Sequence, residues 1–257
     1  MSHQEWPADD YAIGSYIQAT VADPYLDCLT IKPTDQVLDI GCGNGSFSQK
    51  IVAKVPQGTV LGIDASENML QLASEFTQSH PNFSTQQANV LTINYSEQFD
   101  YIVSFWCLQW SQDIHKAFTN IIHALKKGGK LFTLFPAGDD PYIMSYYAIK
   151  ESQQFDSLKD FKAPVDYSKF DHLAEQLASI PCSSLKVERV QHSLQLPSLD
   201  TFKKFVNGIA FYQGQVPAEE IKEINQAMVE HYQNECRRKY KGSYQFNSSI
   251  YLVTGEK

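Results

Sequence analysis

The feature that most narrows the possible folds is a glycine-rich turn set directly behind a short apolar run. Gln36-Val37-Leu38-Asp39-Ile40 reads as a strand buried on both faces, and Gly41-Cys42-Gly43-Asn44-Gly45 follows without a break. Glycines at alternate positions let the backbone turn sharply and let a ligand approach with no Cβ in the way. A helix should come next, because Phe47, Ile51 and Val55 recur on one face. Strand, glycine turn and helix in that order open a βαβ unit, a fold that binds ligands at the carboxyl ends of its strands.

The rhythm continues along the chain. Residues 10–29 have helical apolar spacing. Residues 59–64 read as a second buried strand, and Ser66 offers an N-cap for a helix carrying Met69, Leu72, Ala73 and Phe76. Residues 83–90 form a weaker strand and 99–105 a strong one. A helix is expected over 114–125, with a turn at Lys127-Gly128-Gly129 leading into a strand over 130–135. Such alternation predicts a parallel, doubly wound α/β sheet. Beyond residue 140 the rhythm breaks. Residues 141–180 and 198–243 read as a helical cap, and 185–196 and 246–255 as the last two strands. One domain over residues 1–257 is expected, with a helical segment at 1–35 and a ligand-binding core at 36–140.

Composition excludes several classes of function. The formal charge of −8 repels phosphate backbones and argues against nucleic acid. Arginine occurs only at 189, 237 and 238, so an anionic ligand would be held mainly by Lys, hydroxyls, amides or backbone N–H groups. The five scattered cysteines have no metal-ligand or disulfide spacing, and no metal is expected. The N-terminal residues have neither a basic stretch nor an apolar run, and no segment has the length of a membrane span. The expectation is a cytoplasmic protein acting on a small molecule, with no membrane partner.

Candidate binding residues cluster at strand ends. The turn spacing G-x-G-x-G, with Asp39 two positions before Gly41, departs from the G-x-G-x-x-G of dinucleotide sites. It suits a ligand without a pyrophosphate but with an amino group that needs a carboxylate neighbour. Asp64, closing the second strand, can accept both ribose hydroxyls. Asn89-Val90 follow the third strand, where Asn can accept from an adenine amino group. After the fourth strand come Ser104-Phe105-Trp106-Cys107-Leu108-Gln109-Trp110, whose aromatic faces suit an adenosine and a sulfonium cation.

These segments, 37–47, 60–70 and 99–110, resemble the successive motifs of class I S-adenosylmethionine-dependent methyltransferases. They are most similar to the small-molecule branch of trans-aconitate, juvenile hormone acid and malonyl-carrier-protein methyltransferases. Trp6-x-Ala8-x-x-Tyr11 with Gln18 resembles the N-terminal segment that folds over cofactor and substrate in that branch. The resemblance implies a Rossmann-like, mostly parallel seven-stranded sheet with helices on both faces and S-adenosyl-L-methionine as cofactor. The implied cofactor set is Gln18 with the turn residues Asp39, Gly41, Cys42, Gly43 and Gly45. To these it adds Asp64, Ala65 and Met69 from the second strand and its helix, then Asn89 and Val90, and finally Ser104, Phe105 and Trp106. Position 89 is commonly Asp in the family, so Asn is a departure. For substrate, Tyr11, Gln109, Trp110, Tyr142 and Tyr146 are the candidates.

The activity implied is methyl transfer, with O-methylation of a carboxylic acid expected. A carboxylate needs no general base, and no catalytic residue is assigned. Two alternatives stand beside it, a nicotinamide-dependent oxidoreductase and a cofactor-binding protein without catalysis. The glycine spacing speaks against the first. The aromatic second half speaks for a closed pocket and so against the second.

Overall fold

The computed structural model describes residues 16–209, 211–212 and 215–257. Tyr11 and the Trp6-x-Ala8-x-x-Tyr11 motif lie outside them.

Its centre is a seven-stranded sheet. The apolar run Gln36–Ile40 is β1, and it pairs in parallel with β2 (Thr59–Asp64) on one side and β4 (Phe99–Phe105) on the other. Outside β2 lies β3 (Phe83–Gln87), and outside β4 lies β5 (Leu125–Pro136), both parallel. The last strand in the chain, β7 (Gln245–Glu256), inserts antiparallel between β5 and the edge strand β6 (Ser184–Gln195). The order is therefore 3-2-1-4-5-7-6. The chain winds outward from β1 to β3, then crosses back to β4, so the β1/β4 boundary is the switch point at which such sheets bind ligands.

Successive residues of the central strands serve opposite faces. Leu38, Ile102 and Leu131 pack with Phe118 and Ile121 of α4 (Ile114–Ala124). Val37, Val103 and Phe132 pack on the other face, with Val21 of α1 (Tyr16–Cys28) and Ile51 of α2 (Ser46–Val52). The helix after β2, α3 (Glu67–Ser79), starts at Ser66, whose hydroxyl accepts the Met69 N–H at 3.3 Å.

A third apolar core sits over the carboxyl edge of the sheet. It is built by α5 (Pro141–Glu151), α8 (Leu199–Gly208) and α9 (Ala218–Tyr240). Phe202 and Tyr232 stack at 3.8 Å, and the Tyr142 hydroxyl donates to the Ile209 carbonyl at 2.6 Å. Among the described residues no helix is long and apolar enough to cross a membrane.

Three segments differ from the sequence expectation. The third strand ends at Gln87 rather than residue 90, because Asn89 folds the chain into a turn: its side-chain oxygen accepts the Leu91 N–H and its carbonyl accepts those of Thr92 and Ile93. The fifth strand starts at Leu125, with the Lys-Gly-Gly stretch inside it. Terminal Lys257 accepts from the Gly128 N–H and donates to the Gly129 carbonyl, so that backbone is paired rather than turned to solvent. Residues 165–180 leave the cap. Val165, Phe170, and Leu173 and Leu177 of α7 (Leu173–Leu177) pack onto the α4 face of the sheet, with the Phe170 ring 5.2 Å from that of Phe135.

Candidate active site

A cavity of about 590 Å³ lies between the carboxyl edge of the sheet and the cap, a size suited to small molecules. Its floor is the glycine turn. Gly41 and Cys42 donate their N–H groups to the Ile63 carbonyl at 2.7 and 3.0 Å, which ties the turn to β2. Gly41 has φ +74°, and a Cβ there would lie 2.3 Å from the Cys107 side chain. Gly43, at φ +54°, meets nothing within 4 Å of such a Cβ. One glycine is needed for packing beneath the turn, the other to keep space open above it.

Asp64 leaves β2 and reaches back to the turn. One carboxylate oxygen accepts the Gly43 N–H and the other the Ser66 N–H, both at 2.9 Å. The carboxylate is thus oriented before any ligand arrives. Asp39 lies beneath, fully buried, and accepts the Ser48 hydroxyl at 2.6 Å. Burial pushes its pKa up to about 7, the Ser48 hydrogen bond opposes that, and the charge of Asp64 adds to it. Burial likewise pushes the Cys42 and Cys107 thiols far above their ordinary range, so neither is a nucleophile at neutral pH.

At the end of β4, Trp106 adopts a left-handed conformation with φ +57°. For a tryptophan this costs about 1–3 kcal/mol. It is held by its N–H to the Leu134 carbonyl at 2.8 Å and by its indole N–H to the Gln18 carbonyl at 3.2 Å. Gln18 thereby couples α1 to the cavity wall. Asn89 lines the cavity, and its side-chain oxygen, expected to accept from an adenine amino group, already accepts the Leu91 N–H at 2.9 Å and keeps a second lone pair.

The opposite wall is aromatic, with Tyr142, Tyr146, Phe205 and Phe211 from the cap, Tyr167 from the 165–180 segment and Phe246 from β7 among its members. Gln109 donates to the Trp106 carbonyl at 2.8 Å, and its other amide atom, the oxygen, is buried without a partner, as is the Tyr146 hydroxyl. Asp140 also lines this end. No Lys, Arg or His does so among the described residues.

Of the residues expected to bind cofactor, Gln18, Gly41, Gly43, Asp64, Ala65 and Met69 line the cavity, as do Asn89, Val90, Phe105 and Trp106. Four do not. Asp39 lies below the turn, Gly45 packs against Phe76, Cys42 borders a smaller adjoining hollow, and the Ser104 hydroxyl is taken by the Ile40 carbonyl at 2.8 Å. The substrate candidates Gln109, Trp110, Tyr142 and Tyr146 all line the cavity. Sequence reasoning missed Asp140, Phe205, Phe211, Phe246, Ser248 and Ser249. Only Asp140 carried a local signal, as an Asp before Pro at a helix start.

Fold and site together define the class. A 3-2-1-4-5-7-6 sheet with a glycine turn after β1 and an acid after β2 is the framework of the class I S-adenosylmethionine-dependent methyltransferases, and this chain shares it. Residues 37–129 match the methyltransferase domain family. The chain is similar to malonyl-[acyl-carrier protein] O-methyltransferase 2 of Ilyobacter polytropus, 31% identical over 65% of this chain and 66% of that one. It is also similar to trans-aconitate 2-methyltransferase of Deinococcus radiodurans, 31% identical over 52% and 51%. The chain thus spans between half and two thirds of these curated relatives. The YcgJ protein of Bacillus subtilis shares the fold, with a TM-score of 0.60 at 18% identity over 93% of this chain and 98% of that one.

Proposed function

We propose that this protein transfers a methyl group from S-adenosyl-L-methionine to a small molecule held beneath the cap. The observation that carries the reading is one continuous cavity with the glycine turn and Asp64 on one wall and the aromatic cap on the other. When bound, the cofactor supplies an electrophilic methyl group on a sulfonium cation. Gly43 leaves room for its methionine part. Asp64, fixed by two N–H groups at the cavity wall, is the acceptor for ribose hydroxyls. Asp39 places negative charge beneath the bound cation, and the Asn89 amide meets the base. A cofactor wall that carries Asp64 and no basic side chain among the described residues fits a cationic ligand.

Transfer of this kind depends on orientation and exclusion of water. Trp106, the cap aromatics and α1 would supply both, so core and cap act as one catalytic unit. For the acceptor, the names of the relatives favour a carboxylic acid, which needs no base. In this cavity such an acid would be held by hydroxyl and amide donors alone. A donor-bearing acceptor is a second reading, favoured by Asp140. The family match leaves a nicotinamide cofactor without support.

The test is calorimetric titration with S-adenosylhomocysteine and with NADH, followed by transfer of labelled methyl to a panel of acids, amines and phenols. Saturable binding of S-adenosylhomocysteine alone is expected. Binding of NADH in its place would overturn the proposal.

A further inference from the structure

The cap end of the cavity has a charge pattern that methyl transfer by itself does not require. Asp140 caps α5, and a single oxygen does the capping, accepting the N–H groups of Tyr142 at 2.9 Å and Ile143 at 3.1 Å. Its neighbour Asp139 is engaged differently. It takes the Arg189 guanidinium at 2.8 Å and both the N–H and the hydroxyl of Ser249 at 2.6 Å. The one arginine of the adjoining strand is therefore committed to Asp139, and Asp140 is left against the cavity with aromatic neighbours. Tyr142 and Tyr167 both lie within electrostatic range of its carboxyl. Burial pushes the Asp140 pKa up to about 6, while the two capping N–H groups pull it down.

Two further polar groups of wall-lining residues are buried behind the surface without a partner. Gln109 gives its NH₂ to the Trp106 carbonyl, so its unpartnered atom is an acceptor. The Tyr146 hydroxyl is buried without a partner as well. Around them stand aromatic rings set edge to face, Tyr142 with Phe205 at 5.7 Å and Tyr146 with Phe211 at 4.8 Å. Rings attract cations through their faces, and a carboxylate among them needs a positive or proton-donating partner in place of the water it has lost. A polycarboxylate would meet the opposite: a like charge and no cation.

Resting on the reading that the cavity takes the methyl acceptor, we propose that this acceptor is an apolar amine whose ammonium group is held by Asp140 among the rings of the cap. Asp140 is then the residue that selects by charge, whichever atom is methylated.

The experiment measures binding of phenylethylamine and octylamine against phenylpropionate and octanoate by calorimetry, with and without S-adenosylhomocysteine. Wild type and Asp140→Asn are compared, since Asn caps a helix as well as Asp does but has no charge. The proposal expects each amine to bind wild type at least about tenfold more tightly than its matched acid. It expects Asp140→Asn to remove that preference while melting temperature and S-adenosylhomocysteine affinity stay unchanged. Equal or tighter binding of the acids, no amine binding at millimolar concentration, or full amine affinity in Asp140→Asn would each overturn it. Retained S-adenosylhomocysteine binding separates such a failure from failure of the methyltransferase reading.

Discussion

Asp39 shows how one buried carboxyl makes the site sensitive to pH. Its pKa in the folded protein, about 7, lies well above the 3.8 of a free aspartate. The proton therefore binds the native state more tightly than the unfolded one. This stabilisation is fully present below about pH 4 and is lost as pH rises through about 7. A cation bound over the glycine turn favours the ionised form and lowers that pKa. Cofactor affinity is thus expected to strengthen as pH rises from 6 to 8, with proton release on binding at pH 6.5. Calorimetry in buffers of different ionisation enthalpy reads that release directly, and Asp39→Asn should flatten the profile. A profile as steep in Asp39→Asn as in wild type would place the titrating group elsewhere. Asp64 acts by contact rather than by field. Asp64→Ala removes acceptors from the Gly43 and Ser66 N–H groups as well as from the ribose, and should weaken S-adenosylhomocysteine binding by about 1–3 kcal/mol. Unchanged affinity would mean the ribose lies elsewhere.

The glycine turn is the element on which the site depends, and two of its three left-handed glycines, Gly41 and Gly43, should fail in different ways. Gly41→Ala drives a Cβ into Cys107 and adds the cost of a left-handed side chain, so it should lower the melting temperature markedly. Gly43→Ala meets no atom and should cost the fold only about 1–2 kcal/mol, yet it intrudes where the ligand lies. Thermal melts and cofactor titration of both variants test this, and equal effects on stability would contradict it. The same element explains what could be read in advance. β1 and β2 are apolar runs closed by glycine or acid and β4 is an apolar run ending in aromatics, so all three were legible, and with them Gly41, Gly43 and Asp64 of the cavity wall. The turn at Asn89 was hidden because an Asn side chain bonding two residues ahead ends a strand without any change of hydropathy. The start of β5 was hidden because Lys-Gly-Gly reads as a turn unless one knows that the chain terminus pairs with it. Phe205, Phe211 and Phe246 show the limit on the cap. Phe205 lies on α8, Phe211 in a turn and Phe246 on β7, so no single periodicity links them, and they come together only through long-range packing.

At the scale of the whole molecule, the cavity lies between the two apolar cores of the sheet and the third core of the cap, which hold few residues in common. The sheet has its own pair of packed faces, and the cap has a third core made by α5, α8 and α9. Trp110 and Tyr167 pack against both the cap core and one sheet face, and the Trp106 indole N–H donates to the Gln18 carbonyl across the cavity wall. A ligand lying in the shared cavity adds contacts to both sides at once and should make them unfold together. Cofactor product at a hundred times its dissociation constant contributes about 2.7 kcal/mol by mass action. For a chain of this length that corresponds to a rise of roughly 5–10 °C in melting temperature. The expected result is a single calorimetric transition that moves as a whole when S-adenosylhomocysteine is added. Two transitions, with the cap's left unmoved by the ligand, would mean that cofactor binding stops at the sheet and that the cap closes only when the acceptor arrives.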